Sequence, residues 1–187
     1  MLIALVIVQI PDQMVMVHLP DIVLLNEIKV NEEECNYYLR FEGYSVVSKV
    51  RNSFGGGVAI LIKDNIQFNQ DFSYEKFNKE LVCKNIKLNN KNISIFTLYN
   101  PPYSSKNKNY LCLDLVAEIC NRCQFFIIGG DLNSKSRVLG CYSKENKNGE
   151  ILELILEDMN ICLLNDRSPT FFRSNSNYYE QTFKSGL

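Results

Sequence analysis

The sequence predicts a layered α/β domain. Three observations carry that expectation: short apolar runs bounded by turn residues, two stretches with apolar side chains at helical spacing, and a hairpin signal set among crossover-type connections. At 187 residues the chain is long enough for one domain with a sizeable core. Hydrophobic residues make up 46% and charged residues 22%, which places the chain with ordinary soluble globular domains. A net charge of -1 carries no polybasic signal, so any contact with nucleic acid has to rest on local patches and a metal.

Residues 1–10 are almost wholly apolar and too short to span a bilayer. They lack the basic region and small-residue cleavage site of a signal peptide, so a buried strand or a corrupted start is expected. Pro11 and Pro20 break the apolar character. Residues 21–27 read as a short buried strand ending in Asn26 and Glu27, and 30–40 as a short helix and loop. Residues 43–47 and 58–62 read as strands, with Gly55-Gly56-Gly57 between them. No Lys-Ser or Lys-Thr follows those glycines, and a strand follows where a phosphate loop needs a helix, so they mark the entry to a hairpin.

Residues 80–88 and 92–99 form a second strand pair, turning at Asn89-Asn90-Lys91. Ile93, Ile95, Thr97 and Tyr99 share one face of the later strand, and Ser94, Phe96 and Leu98 the other. Such a strand is expected to be covered on both faces, as in a two-sheet sandwich; Pro101 and Pro102 stop it. Leu111, Leu115, Val116 and Ile119 predict a helix over 110–121. Asn148-Gly149-Glu150 is expected to open a second, with Ile151, Leu154, Ile155 and Met159 on one face and Asn160 near its end. Residues 161–164 read as a further strand.

Seven cysteines at irregular spacing argue against a disulfide framework and for a reducing compartment, nuclear or cytoplasmic rather than secreted. Cys120 and Cys123 form a C-x-x-C pair without a second pair or a histidine cluster, so structural thiols are expected.

The richest stretch is Phe125-Phe126-Ile127-Ile128 running into Gly129-Gly130-Asp131-Leu132-Asn133. An interior strand ends in two glycines that permit a tight turn, then a carboxylate and an amide two residues apart. The C-terminal ends of strands are where ligands gather in α/β architectures, and phosphate chemistry uses an acid beside a neutral hydrogen-bonding group. A plain β-turn accounts for these five residues equally well. Glu27, Tyr99 and Asp131 with Asn133 nonetheless stand at three comparable strand ends.

In order along the chain, Asp21-Ile22-Val23-Leu24-Leu25 ending in Glu27, Gly55-Gly56-Gly57-Val58-Ala59-Ile60, Tyr99-Asn100-Pro101-Pro102, Ile127-Ile128-Gly129-Gly130-Asp131-Leu132-Asn133, Asn148-Gly149-Glu150 and Pro169-Thr170-Phe171 resemble the endonuclease/exonuclease/phosphatase superfamily, the DNase I-like fold. More narrowly, they resemble the apurinic-type endonuclease domain of LINE-like (non-LTR) retrotransposons.

The resemblance spans about 21–179 and implies a four-layer sandwich of two mixed β-sheets flanked by helices. It implies hydrolysis of phosphodiesters in DNA with Mg²⁺ (or Mn²⁺), by a monomer that does not engage membranes. Glu27 matches the metal-binding glutamate, Asp131 the aspartate that orients or activates water, Asn133 the asparagine that hydrogen-bonds the phosphate, and Tyr99 the tyrosine beside the scissile phosphate.

The same resemblance divides the chain into an atypical apolar segment, 1–20, and the domain proper, 21–187. It calls for an early asparagine and a late Ser-Asp-His. Neither occurs here, and His18 lies in an apolar context. A domain incomplete at both ends, with impaired activity, is therefore expected. The alternatives are a non-catalytic remnant of the fold and a phosphatase of the same superfamily.

Overall fold

The structure is a computed structural model that describes residues 4–7 (backbone only), 20–104, 110–141 and 144–164. Eight strands and three helices run in the order β1 Ala4–Ile7, β2 Ile22–Asn26, α1 Glu32–Tyr38, β3 Tyr44–Lys49, β4 Val58–Lys63, β5 Phe68–Gln70, β6 Leu81–Leu88, β7 Lys91–Leu98, α2 Leu113–Arg122, β8 Phe126–Gly129 and α3 Lys147–Asp158 among the described residues. They build two four-stranded sheets, β1-β2-β4-β3 and β5-β6-β7-β8. Both are mixed, since β1 runs parallel to β2 and β8 parallel to β7 while the other pairs are antiparallel.

Three apolar clusters stack these sheets into four layers. Between the sheets, Ile22, Leu24, Val58, Ile60 and Ile62 meet Val82, Ile86, Ile95 and Tyr99. Outside the first sheet, Val23, Leu25, Ala59 and Leu61 pack beneath Val30, Leu39 and the chain around α1. Outside the second, Leu81, Cys83, Phe96 and Leu98 receive Leu115, Val116 and Ile119 of α2 and Ile151 and Ile155 of α3. All five residues of β2 are therefore buried, because successive side chains enter different cores. The alternation predicted for β7 divides the same way, with Ile95 and Tyr99 between the sheets and Phe96 and Leu98 under the helices.

Local chemistry sets the element ends. The β6–β7 hairpin turns on Asn89 and Asn90, at φ 49° and 63°, a left-handed pair that asparagine tolerates. Lys91 already belongs to β7, opposite Leu88. In α1 the Asn31 side chain accepts from Glu34 N and the Glu34 carboxylate accepts from Asn31 N, a capping box that sustains a helix with no buried residue. The free thiols serve packing and hydrogen bonding: Cys123 Sγ lies 3.2 Å from Tyr74 Oη, and Cys35 Sγ 3.2 Å from Ser48 Oγ.

Three expectations about strands and burial differ from what the structure shows. Residues 161–164 form no strand among the described residues, and Leu164 is exposed; periodicity alone cannot type so short an apolar run. Leu154 is 48% exposed because the buried stripe of α3 centres on Ile151 and Ile155 and leaves Leu154 at its margin. Strand β8 is half-buried at the sheet edge among the described residues, so its apolar run does not mark an interior strand there. His18 and the Pro169-Thr170-Phe171 motif lie outside the described residues.

Phe96 is fully buried and meets the Tyr74 ring edge-to-face at 5.0 Å. Phe96→Ala is expected to cost about 3–5 kcal/mol in urea-unfolding experiments, the usual loss for a large core aromatic.

Candidate active site

The ends of β2, β7 and β8 converge at one edge of the sandwich. Glu27 follows β2 directly and sits at φ 52°, a left-handed turn that takes the chain off the sheet. The next residues are tied to the glycine loop: Ile28 N donates to Gly57 O at 3.4 Å and Lys29 N to Gly56 O at 3.2 Å. A Cβ on Gly57 would come within 2.8 Å of Ile28 Cγ1, so this approach requires glycine. The triple glycine thus helps to place Glu27.

Tyr99, just past β7, is buried and donates its hydroxyl to Glu27 Oε1 at 2.8 Å. Burial first, and the Glu27 carboxylate second, push its phenol well above the usual range. Tyr99 is therefore a neutral hydrogen-bond donor at physiological pH.

Beyond β8 the chain passes through Gly130 at φ 144°, where a Cβ would lie 2.0 Å from Leu98 O. Asp131 is anchored from both sides: its N–H donates to Asn26 Oδ1 at 3.3 Å, and its carbonyl accepts from Asn100 N at 2.9 Å. Its carboxylate accepts from Asn133 N at 2.9 Å, closing an Asx turn with Asn133 at φ 48°. Asn133 Nδ2 donates to Asn100 O at 3.0 Å, so one of its two amide hydrogens is engaged.

The Asp131 carboxyl is raised above the usual 3.8: burial is the main cause, the Asn133 N–H opposes it, and the Glu27 charge adds to it. The structure therefore brings all four sequence-predicted residues together, as two contacting pairs, Glu27 with Tyr99 and Asp131 with Asn133, whose acidic members repel.

Sequence reasoning missed the residues that hold this arrangement. Asn26 is fully buried; its amide donates to Thr97 Oγ1 at 3.2 Å on the opposite sheet while its oxygen receives Asp131 N. Its position before Glu27 was the only available signal. Asn148 does not open α3: the cap is Asn146, which accepts from Gly149 N and donates to Asn133 O at 2.8 Å. Asn148, inside the helix, accepts from Leu111 N at 3.0 Å and donates to Leu132 O at 3.5 Å, tying α2 and α3 to the Asp131 loop. Arg51 and Glu80 form an ion pair at 3.0 Å beside Tyr99, from positions that no sequence spacing connects.

Among the described residues, no three acidic, cysteine or histidine side chains cluster as a ready-made metal cage. A cation such as Mg²⁺ needs only one or two carboxylates beside water and substrate oxygens. The oxygen-only donor set of Glu27 and Asp131, with one carboxyl raised partly by the other's charge, suits such an ion.

The family described as endonuclease-reverse transcriptase matches residues 93–185, a stretch that includes Tyr99, Asp131 and Asn133. That stretch is just under half of the chain, and the fold around it is the DNase I-like one of the endonuclease/exonuclease/phosphatase superfamily. Among solved structures, it resembles the endonuclease domain of TRAS1, a telomere-specific non-LTR retrotransposon, with 20% identity and a TM-score of 0.59 over 81% of this chain and 64% of that one. The catalytic domain of Xenopus laevis APE2 gives 18% identity and a TM-score of 0.51 over 73% and 59%. The likeness is one of fold, and the chain spans less than two thirds of either relative. No curated protein matches the sequence.

The raised carboxyl of Asp131 has a consequence for stability. A carboxyl that holds its proton more tightly in the folded state stabilises that state below the unfolded value, and this contribution is lost as pH rises through the folded value. In EDTA at neutral pH, Asp131→Asn is expected to melt roughly 1–3 °C above the wild type, with the gap closing below about pH 4. Calorimetry across that range measures it.

Proposed function

We propose that this domain hydrolyses phosphodiesters with a divalent cation, Mg²⁺ or Mn²⁺, and nicks DNA as the endonuclease part of a retrotransposon-derived protein. The observation that supports this reading best is the convergence of Glu27, Tyr99, Asp131 and Asn133 at one edge of the sandwich. Glu27 is the principal cation ligand in this reading. When bound, the cation neutralises charge developing on the phosphate and supports the water nucleophile.

Asp131 accepts the proton of the attacking water, and its raised carboxyl makes it a better base than an ordinary aspartate. The remaining Asn133 amide hydrogen donates to a phosphate oxygen without adding negative charge. Tyr99, kept protonated, holds Glu27 in place, and its ring offers a surface to the adjoining sugar. We further propose that the domain, residues 21–187 with an apolar leading segment 1–20, acts as a monomer in the nucleus or cytoplasm. The use of its thiols for packing supports a reducing compartment.

Supercoiled plasmid with Mg²⁺ tests the reading. The wild type is expected to nick weakly, in keeping with impaired activity, Glu27→Ala and Asp131→Ala to lose a further factor of about 10²–10⁴, and Tyr99→Phe about tenfold. Nicking that survives both alanine substitutions overturns it. Duplex binding without nicking identifies the non-catalytic form of the domain, and hydrolysis confined to small phosphoesters identifies a phosphatase.

The rate also carries a pH signature. Because the Asp131 carboxylate is the active form and its carboxyl is raised, nicking is expected to fall on acidification at a pH above the usual aspartate value of about 4. A pH profile of single-turnover nicking locates that limb.

A further inference from the structure

Arg51 stands beside this site without a role in the reading above, and we propose that it is a phosphate-binding side chain, contacting a backbone phosphate that flanks the one held at Asn133. The inference rests on the phosphodiesterase reading and adds a contact to it. Arg51 lies in the loop after β3, with its guanidinium 5.8 Å over the Tyr99 ring. Its Nε donates to Gly55 O at 2.8 Å and its Nη1 to Glu80 Oε2 at 3.0 Å. A guanidinium carries five N–H donors, and Nη2 makes no hydrogen bond among the described residues. The Arg51 side chain is 40% exposed and the Glu80 side chain 10%, so the pair has a buried acidic end and an open basic end.

The loop is shaped around this pair. Gly56 lies at φ 74°, and a Cβ there would fall 2.2 Å from Glu80 Oε1 and 2.4 Å from Arg51 Cζ. Glu80 is itself fixed by Gly57 N at 2.5 Å. Arg51 is thereby held in one orientation before any ligand arrives, which lowers the entropy lost on binding, and its planar fork suits phosphate oxygens. The residue after Tyr99 cannot supply this charge: Asn100 is neutral, buried and bonded to Leu132 O.

The test is binding of a short fluorescent duplex in EDTA, read by anisotropy from about 50 to 200 mM KCl. The double variant Arg51→Gln, Glu80→Gln removes the charge without stranding a buried carboxylate. It is expected to bind about three- to tenfold more weakly, with the salt slope reduced by about 0.9. Arg51→Lys, which keeps the charge but not the fork, is expected to retain the slope and bind about two- to fivefold more weakly.

A double variant that melts like the wild type and keeps its slope overturns the proposal, as does Arg51→Lys binding with wild-type affinity. A wild type that binds no duplex overturns this inference and the DNA-nicking reading together. Nicking that depends on Glu27, with a salt slope indifferent to Arg51, overturns the inference alone.

Discussion

The arrangement depends on one buried amide. Asn26 ends β2 with its backbone paired to Val58, and its side chain crosses to the other sheet, giving a hydrogen bond to Thr97 and taking one from Asp131 N. In a sandwich interface made mostly of apolar side chains, an amide is stable only if its donor and acceptor are both used. Here both are, and satisfying them fixes the end of β2 against the turn after β8. Glu27 and Asp131, the residues next to these two bonds, are placed by the same constraint.

Glycine does two different jobs around that bridge. Gly130 lets the chain pass under Leu98 O so that Asp131 can reach Asn26, a contact that any Cβ would block. Gly56 and Gly57 leave room for the Arg51–Glu80 pair and for Ile28, and their carbonyls receive the N–H groups that follow Glu27. The site is therefore framed by backbone at close quarters, with Asp131 held by the Asn133 N–H and Glu27 by the Tyr99 hydroxyl. Such a frame places two carboxylates near each other and leaves Asp131 with a raised carboxyl. Two carboxylates brought this close supply oxygen ligands that suit a hard cation.

Legibility differed by element for physical reasons. The faces of β7 were readable because strand alternation is local, and both faces proved to be covered. The Asn89-Asn90 hairpin was readable because left-handed backbone selects asparagine over two adjacent positions. Residues 161–164 were misread because a four-residue apolar run becomes a strand only if a neighbour supplies a ladder, which is not a local property. Leu154 was misread by one step around a helix, where burial depends on the angle at which α3 meets the second sheet.

The sequence by itself determined the fold class, the order of most elements and the residue types at the three strand ends, because these follow from periodicity, turn chemistry and the order of its motifs. Only the tertiary structure decided what joins them. Asn26 and Asp131 are 105 positions apart, Glu27 and Tyr99 are 72, and Arg51 and Glu80 are 29. Hydrogen bonds at such separations leave no periodic trace in a single chain, because the pairing exists only once two sheets have packed face to face.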